Sequence, residues 1–244
     1  MNILITAGGT KERIDSVRSI TNHATGTLGS KIADAFAARP EVSHIVYLCG
    51  ENAVRPNTKL AEIHPIFGTR ELEDSLKQLT QKYTFDAVIH SMAVSDYRVR
   101  SVTTESAIAQ AVQNAETEEE ITTALRQTQS LEQDGKISST KDDLVIMLEQ
   151  TPKIIGMLRT LIPNAVIVGF KLLDGVSTKE LIDTAHRLLV KNDCDYVFAN
   201  DLQSVESAKH CGYLVDAEAK AEPYDGKEQI ASGIAAVVCE RLKK

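Results

Sequence analysis

The chain opens on Asn2-Ile3-Leu4-Ile5-Thr6-Ala7-Gly8-Gly9-Thr10, and the reading of this stretch decides the fold. The apolar run reads as a buried strand and the paired glycines as a tight turn. Downstream, Arg18-Ser19-Ile20-Thr21-Asn22-His23-Ala24-Thr25-Gly26-Thr27-Leu28-Gly29 carries a second glycine cluster, the entry to a helix beginning near Gly26. Backbone N–H groups presented at such an entry suit a phosphate. The order is that of a nucleotide-binding α/β domain, yet the spacing fits neither G-x-G-x-x-G nor G-x-x-x-x-G-K-[ST]. A different phosphate-handling loop is implied, with Gly8 and Gly9 among its residues.

A chain of 244 residues can bury one large core, so a single domain over 1–244 is expected. With 43% hydrophobic and 25% charged residues the composition is that of an ordinary globular protein. No run approaches the roughly 20 apolar residues of a membrane helix. The start lacks a basic flank and an apolar leader, which points to a cytoplasmic protein. The four cysteines, Cys49, Cys194, Cys211 and Cys239, are scattered and form no C-x-x-C pair, so buried thiols are expected rather than disulfides or zinc. A net charge of −7 opposes nucleic-acid binding, while Lys11, Arg13 and Arg18 near the first glycine loop offer local donors for a small anion.

Beyond the opening strand the pattern alternates. Helix Lys31 to Ala38, strand His44 to Leu48, a polar helix around Glu71 to Lys82 and strand Asp86 to His90 make a βαβ beginning. Helix Pro152 to Leu161, strand Ala165 to Phe170, helix Thr178 to Lys191 and strand Asp195 to Ala199 continue it. Tyr213-Leu214-Val215 and a helix over Lys227 to Leu242 close the chain. The whole reads as an α/β, Rossmann-like three-layer fold with a mostly parallel sheet and a small antiparallel C-terminal addition. Between Arg98 and Gly135 the residues turn polar, with one candidate amphipathic helix over Glu118 to Leu131. The segment 99–135 is read as a mobile flap or a dimer-contact arm.

Several side chains could carry chemistry. Arg18 can fork onto a phosphate or carboxylate, and Asn22 can donate and accept just before the helix entry, where it also suits an N-cap. Asp96, past the third strand, fits a ribose hydroxyl, a Mg²⁺ ion or a turn cap. Lys136 at the far end of the polar segment could bring an ammonium onto phosphates by loop closure. Arg187 and Lys191, four apart on a helix, form a possible triphosphate clamp. Phe170 could stack on a base or fill the core. The histidines show no metal-ligand spacing and G-x-S-x-G is absent, which argues against a zinc hydrolase or a serine triad.

Taken together, Gly8-Gly9-Thr10, the run Asp15 to Gly29, Ala93-Val94-Ser95-Asp96-Tyr97-Arg98, Lys136-Ile137, Val168-Gly169-Phe170, Lys191-Asn192 and Ala199-Asn200-Asp201 resemble phosphopantothenate-cysteine ligases of the monofunctional bacterial form. The resemblance runs in order along nearly the whole chain and is strongest from Val17 to Gly26. It implies a step of coenzyme A synthesis. A nucleoside triphosphate activates 4′-phosphopantothenate to an acyl nucleotidylate with release of pyrophosphate, and cysteine then displaces the nucleotide. CTP is the expected co-substrate with ATP as the alternative, Mg²⁺ the expected ion, and no flavin is expected. The metal ligands stay unassigned, and a homodimer is expected. Carried over by position, Asn22 and Arg18 match residues that hold the acyl nucleotidylate, and Lys136 matches a flap lysine of the first half-reaction. Gly8, Gly9, Ala93, Asp96, Lys136, Phe170, Arg187 and Lys191, with the stretch Pro152, Lys153, Ile154 and Ile155, fall where the resembled family binds nucleotide. Phe170-Lys171-Leu172-Leu173 looks closer to the animal pattern than to the usual bacterial one, and the segment between Asp96 and Lys136 is longer than in the common bacterial form.

Two other readings compete. A nicotinamide-dependent oxidoreductase would use the opening βαβ, with Glu51 near a ribose-binding position, but no tyrosine is followed four residues later by Lys. A non-catalytic nucleotide-binding module would need neither Asn22 nor Lys136.

Overall fold

The computed structural model describes residues 1–131, 134–141, 143–206 and 210–243. In chain order, β1 is Asn2–Ala7, β2 Lys11–Arg13, β3 Ser19–Thr21, α1 Thr27–Ala37, β4 His44–Gly50 and β5 Ala61–Ile66. Next come α2 Thr69–Lys82, β6 Ala87–His90, β7 Tyr97–Thr104, α3 Glu105–Ala111, α4 Glu118–Gln127 and β8 Leu144–Gln150. The chain then forms α5 Ile154–Leu161, β9 Val166–Leu173, α6 Thr178–Asn192 and β10 Tyr196–Asp201. It ends with α7 Leu202–Glu206, β11 Cys211–Asp216, β12 Ala221–Asp225 and α8 Lys227–Arg241. The fold divides into two compact units, one of Met1–Thr10, Asn22–Val94 and Lys153–Lys244, the other of Lys11–Thr21 and Ser95–Pro152.

The first unit is built on an eight-stranded sheet of order β12-β11-β10-β9-β6-β1-β4-β5. The pairs from β10 to β5 are parallel, and β11 and β12 add antiparallel at one edge. This is the α/β arrangement with an antiparallel C-terminal addition that the sequence predicts. Strand residues alternate between two cores. Ile3, Ile5, Ala7, Ile45, Tyr47, Ile89, Val168 and Phe198 face the layer of α1 and α8. Leu4, Val46, Leu48, Val88, Ile167 and Val197 face α2, α5 and α6. Because both faces are covered, the central strands must be apolar at consecutive positions, and that is why they read as unbroken hydrophobic runs. The helices show the complementary period. Leu72, Leu76 and Leu79 of α2 and Leu181, Ala185 and Leu189 of α6 lie three or four apart and bury one stripe each.

Strand β5 is absent from the sequence reading. Its Ala-Glu-Ile-His-Pro-Ile is polar and holds a proline, and it sits at the sheet edge pairing only with β4. An edge strand tolerates a residue without an N–H, so a proline there does not exclude a strand. Of the cysteines, Cys49, Cys194 and Cys239 are buried, whereas Cys211 on β11 is exposed, against the expectation of buried thiols throughout. Burial pushes the Cys194 thiol up to about 12.

The second unit pairs β2 with β3 and β7 with β8, both antiparallel. The sequence reading places 99–104 in the polar flap or arm and leaves 144–150 unassigned. In β7 the β-branched Val102, Thr103 and Thr104 are buried and make a small core. The expected helix near Glu118 is α4. It buries none of its side chains and is held by a capping box between Thr117 and Glu120, with Glu118 and Glu119 also in its first turn. Residues 132 and 133 of the expected flap lie outside the described residues.

At the centre of the first unit, the buried Thr6 hydroxyl lies 2.7 Å from Nδ1 of His90. Burial holds the His90 imidazole down to about 4, from an ordinary 6.5. The unfolded chain therefore takes up a proton as pH falls below about 6.5 while the folded chain does not. Stability contributed by neutral His90 is complete above pH 6.5 and is lost as pH falls through about 4, a difference of about 3 kcal/mol at ~1.4 kcal/mol per unit. Urea unfolding of the unmutated chain and of His90→Gln between pH 7 and 4 checks this. The variant is expected to show a markedly flatter loss of stability across that window, and parallel slopes would sink the assignment.

Candidate active site

The strand order reverses beside β1. The chain runs β1, β4, β5 toward one edge and then returns to place β6 on the other side of β1. The reversal leaves a crevice at the carboxyl ends of these strands, where open α/β sheets bind ligands, and the loops after β1 and β6 run side by side there, joined by a parallel bridge between Gly9 and Ala93. Gly8 and Gly9 follow β1, and Ala93 follows β6. Ala93 N–H donates to the Gly8 carbonyl at 2.8 Å, and Thr10 N–H donates to the Ala93 carbonyl at 3.2 Å. The Asn22 carboxamide donates through Nδ2 to that same carbonyl at 3.1 Å. A Cβ on Gly9 would meet the Asn22 carbonyl oxygen at 2.7 Å, so the close approach of these two backbones requires glycine. Gly8, Gly9, Asn22 and Ala93 are thereby brought together, with Asn22 exposed.

Helix α1 starts here. Its N-cap is Gly26, held at φ 75° with no side-chain cap, and its first turn contains no acidic residue. The Thr27 N–H donates to the Thr25 hydroxyl at 3.4 Å, and beyond it the Leu28 and Gly29 N–H groups and the positive end of the helix dipole meet no carboxylate in that turn. They open on a cleft of about 380 Å³ lined also by Phe170, Asn200, His210 and Lys227. Phe170 tilts against Phe198 at 5.6 Å between ring centroids, so it serves the core on one side and the cleft on the other. His210 is 8% exposed and neither of its ring nitrogens has a hydrogen-bond partner among the described residues, an arrangement that costs about 1–3 kcal/mol for each unpaired group.

Other predicted residues stand elsewhere in the first unit. Arg187 and Lys191 are exposed on the last turns of α6, where Arg187 donates to the Thr184 hydroxyl at 2.8 Å. Lys153 is the exposed N-cap of α5. A Cβ on Gly156 would lie 3.4 Å from Asn192 Oδ1, so the first turn of α5 abuts the end of α6. Ile154 and Ile155 pack in the second core, which leaves their backbone rather than their side chains at this edge.

Arg18, Asp96, Lys136 and Pro152 belong to the second unit. Arg18 forks onto Asp15, with Nε and Nη2 at 3.0 and 2.6 Å from Oδ2, and Nη2 also donates to the Ile137 carbonyl at 3.2 Å. Asp15 is 2% exposed and accepts the N–H groups of Val17, Arg18 and Ile137 as well. The Arg18 guanidinium, followed by these N–H donors, holds its carboxyl well below the usual carboxylate range. Lys136, next to Ile137, is exposed, as are Asp96 and Pro152. Asp96 accepts the Thr151 N–H through its backbone carbonyl at 3.0 Å.

A family model described as the C-terminal domain of the DNA/pantothenate metabolism flavoprotein matches residues 1–131 and 127–242. The chain belongs to that family. Its relatives include the coenzyme A biosynthesis bifunctional protein CoaBC of Thermococcus kodakarensis, 30% identical over 236 residues covering 94% of this chain and 48% of the relative. CoaBC of Methanocaldococcus jannaschii is 28% identical over 200 residues, 82% of this chain and 40% of the relative. The chain thus spans about half the length of the curated relatives it matches. Among solved structures, the DNA/pantothenate metabolism flavoprotein from Streptococcus pneumoniae superposes with a TM-score of 0.79 at 33% identity, covering 100% of this chain and 98% of that one. The C-terminal domain of CoaBC shares the fold with a TM-score of 0.69 at 19% identity, covering 99% and 97%.

In this member of the flavoprotein C-terminal domain family, Asp15 and His210 are the residues the sequence reading does not single out. Asp15 lies within the stretch that carries the resemblance, three positions before Arg18, but a lone carboxylate in a loop gives no signal that it will be buried. It ties Arg18 and the 135–137 backbone to one point, and so fixes the base of Lys136. Asp15→Ala removes the acceptor of three backbone N–H groups and the partner of Arg18. It is expected to lower the thermal midpoint and to speed limited proteolysis near Gly135–Ile137; an unchanged cleavage rate there would show that the carboxylate does not hold this loop.

Proposed function

We propose that this chain is a phosphopantothenate-cysteine ligase acting in coenzyme A synthesis. In the first half-reaction the carboxylate of 4′-phosphopantothenate attacks the α-phosphorus of CTP, with ATP as the alternative. The bond to the bridging oxygen breaks, pyrophosphate leaves, and an acyl nucleotidylate forms. In the second, the amine of L-cysteine attacks the acyl carbonyl. A C–N bond forms, CMP departs with the electron pair of the C–O bond, and the amine proton passes to solvent.

The observation that carries this reading is the crevice at the strand reversal, where the Asn22 carboxamide is fixed on the Ala93 carbonyl beside Gly8 and Gly9. Family membership gives it the chemistry of pantothenate metabolism. Asn22 is suited to stabilise the oxyanion that develops as the amine attacks, since a preorganised donor costs no reorganisation at that moment. Arg18 would orient the phosphoryl group, and Lys136 would offset charge on the departing pyrophosphate. Phe170, Asp96, Arg187, Lys191 and the stretch Pro152 to Ile155 are assigned to nucleotide binding. Mg²⁺ carried in by the triphosphate would keep most of its waters and need few protein ligands. Bound there, the ion would neutralise phosphate charge. No helix of the described residues is long and apolar enough to cross a membrane. A homodimer and a cytoplasmic location complete the proposal.

The test is pyrophosphate release by the purified chain with Mg²⁺, 4′-phosphopantothenate and cysteine, comparing CTP with ATP and omitting each substrate in turn. Release that requires phosphopantothenate is expected, with CTP the better nucleotide. Asn22→Ala should lower kcat by about 10²–10³, the range for loss of one oxyanion donor. Lys136→Ala should slow pyrophosphate release without loss of folding. No release from folded, unmutated protein with either nucleotide would overturn the reading.

A further inference from the structure

Among the described residues, His210 alone has buried side-chain nitrogen or oxygen atoms without a hydrogen-bond partner. Its backbone is tied at both sides, the N–H to the Ser204 carbonyl at 2.9 Å and the carbonyl to the Gly226 N–H at 3.2 Å. The ring is thereby held in place without any partner of its own. An imidazole carries at least one N–H in every protonation state, so at least one donor there awaits an acceptor.

The surroundings say what kind of acceptor. The cleft that His210 lines contains the N-terminus of α1, at Gly26, Thr27 and Leu28, whose first turn holds no acidic residue, together with Lys227. Among the described residues no Asp or Glu lines it, and its titratable groups are His23, His210 and Lys227. A neutral acceptor would leave the helix dipole and the ammonium unanswered, whereas a phosphate accepts from several donors at once. We propose that His210 binds a phosphoryl group of a substrate in this cleft, completing with the first turn of α1 a site whose ring donor has no other use. The identity of the substrate rests on the ligase reading, under which both 4′-phosphopantothenate and the nucleotide bring phosphate.

The experiment is isothermal titration of the full chain with 4′-phosphopantothenate, pantothenate, CTP and ATP, the nucleotides with Mg²⁺. The unmutated chain is compared with His210→Phe, His210→Ala and His210→Gln, and the thermal midpoint of each is recorded. His210→Phe is expected to keep or raise the midpoint, because it removes unpaired polar atoms. It should weaken one phosphate ligand by about tenfold to a hundredfold, the range of a hydrogen bond to a charged group. His210→Gln, which keeps a donor, should recover part of that loss. Should His210→Phe not fold, His210→Ala, which only deletes atoms, gives the same comparison. A loss confined to 4′-phosphopantothenate and not shared by pantothenate places that molecule's phosphate at His210, and a loss confined to the nucleotides places theirs. Unchanged affinities in the folded variants, or equal losses for pantothenate and 4′-phosphopantothenate, overturn the inference and leave the ligase reading standing. Failure of the unmutated chain to bind any of the phosphate ligands overturns both.

Discussion

Everything in the first unit depends on β1 being buried on both faces and paired on both edges. Parallel strands need covered faces, so Ile3 and Ile5 must meet one helical layer and Leu4 the other. With β4 on one side and β6 on the other, no hydrogen-bonding edge is left, and the chain beyond Ala7 can only leave the sheet. It does so alongside the loop after β6, to which a parallel bridge between Gly9 and Ala93 ties it. Glycines at 8 and 9 follow from that geometry, since the backbone of one loop must pass against that of another. The cluster of Asn22 and Ala93 is therefore a product of sheet topology, and the chemistry proposed for it borrows positions the fold would have to create anyway.

The second unit solves a different problem. Its residues between 98 and 135 bury little, so apolar area cannot order them at ~25 cal/mol per Å². Order comes from local satisfaction of backbone groups instead. Thr104 caps α3, Thr117 and Glu120 cap α4 reciprocally, and Asp15 accepts three backbone N–H groups around Arg18 and Ile137. Each such bond is a modest net gain, but each replaces the penalty of an orphaned donor.

This difference also explains what could be read from the sequence. The helices α1, α2, α5, α6 and α8 were legible because burial imposes a period on them, and the strands β1, β4, β6, β9 and β10 because burial on both faces makes each an apolar run. β5, β7 and β8 were not. An edge strand with Pro65, and a ribbon such as Tyr97-Arg98-Val99-Arg100 with a register shift between Val99 and Ser101, carry no clean alternation. At the site, the glycines and Asn22 were legible as types suited to a task. Asp15 and His210 were not, because their significance lies in burial and in the absence or presence of partners, which a residue's type does not encode.

The charge distribution turns on the same distinction. With a net charge of −7 the whole protein repels anions, so any phosphate chemistry must rely on fixed local donors. Arg18 is a fixed donor at a cost to its charge, because Asp15 lies 2.6 Å from its Nη2 and the pair is close to neutral together. What that pair offers an approaching phosphate is orientation, a planar fork held still, and little long-range attraction. Lys136, one residue from the Ile137 N–H that Asp15 also grips, presents an exposed ammonium in the same unit. In the proposed reaction these roles separate naturally. A preorganised fork favours a defined geometry at the reacting phosphorus, and an exposed ammonium answers charge that appears only as pyrophosphate departs. Replacing Asp15 would therefore raise the local positive charge and still harm the site, because what it removes is the direction of the donor.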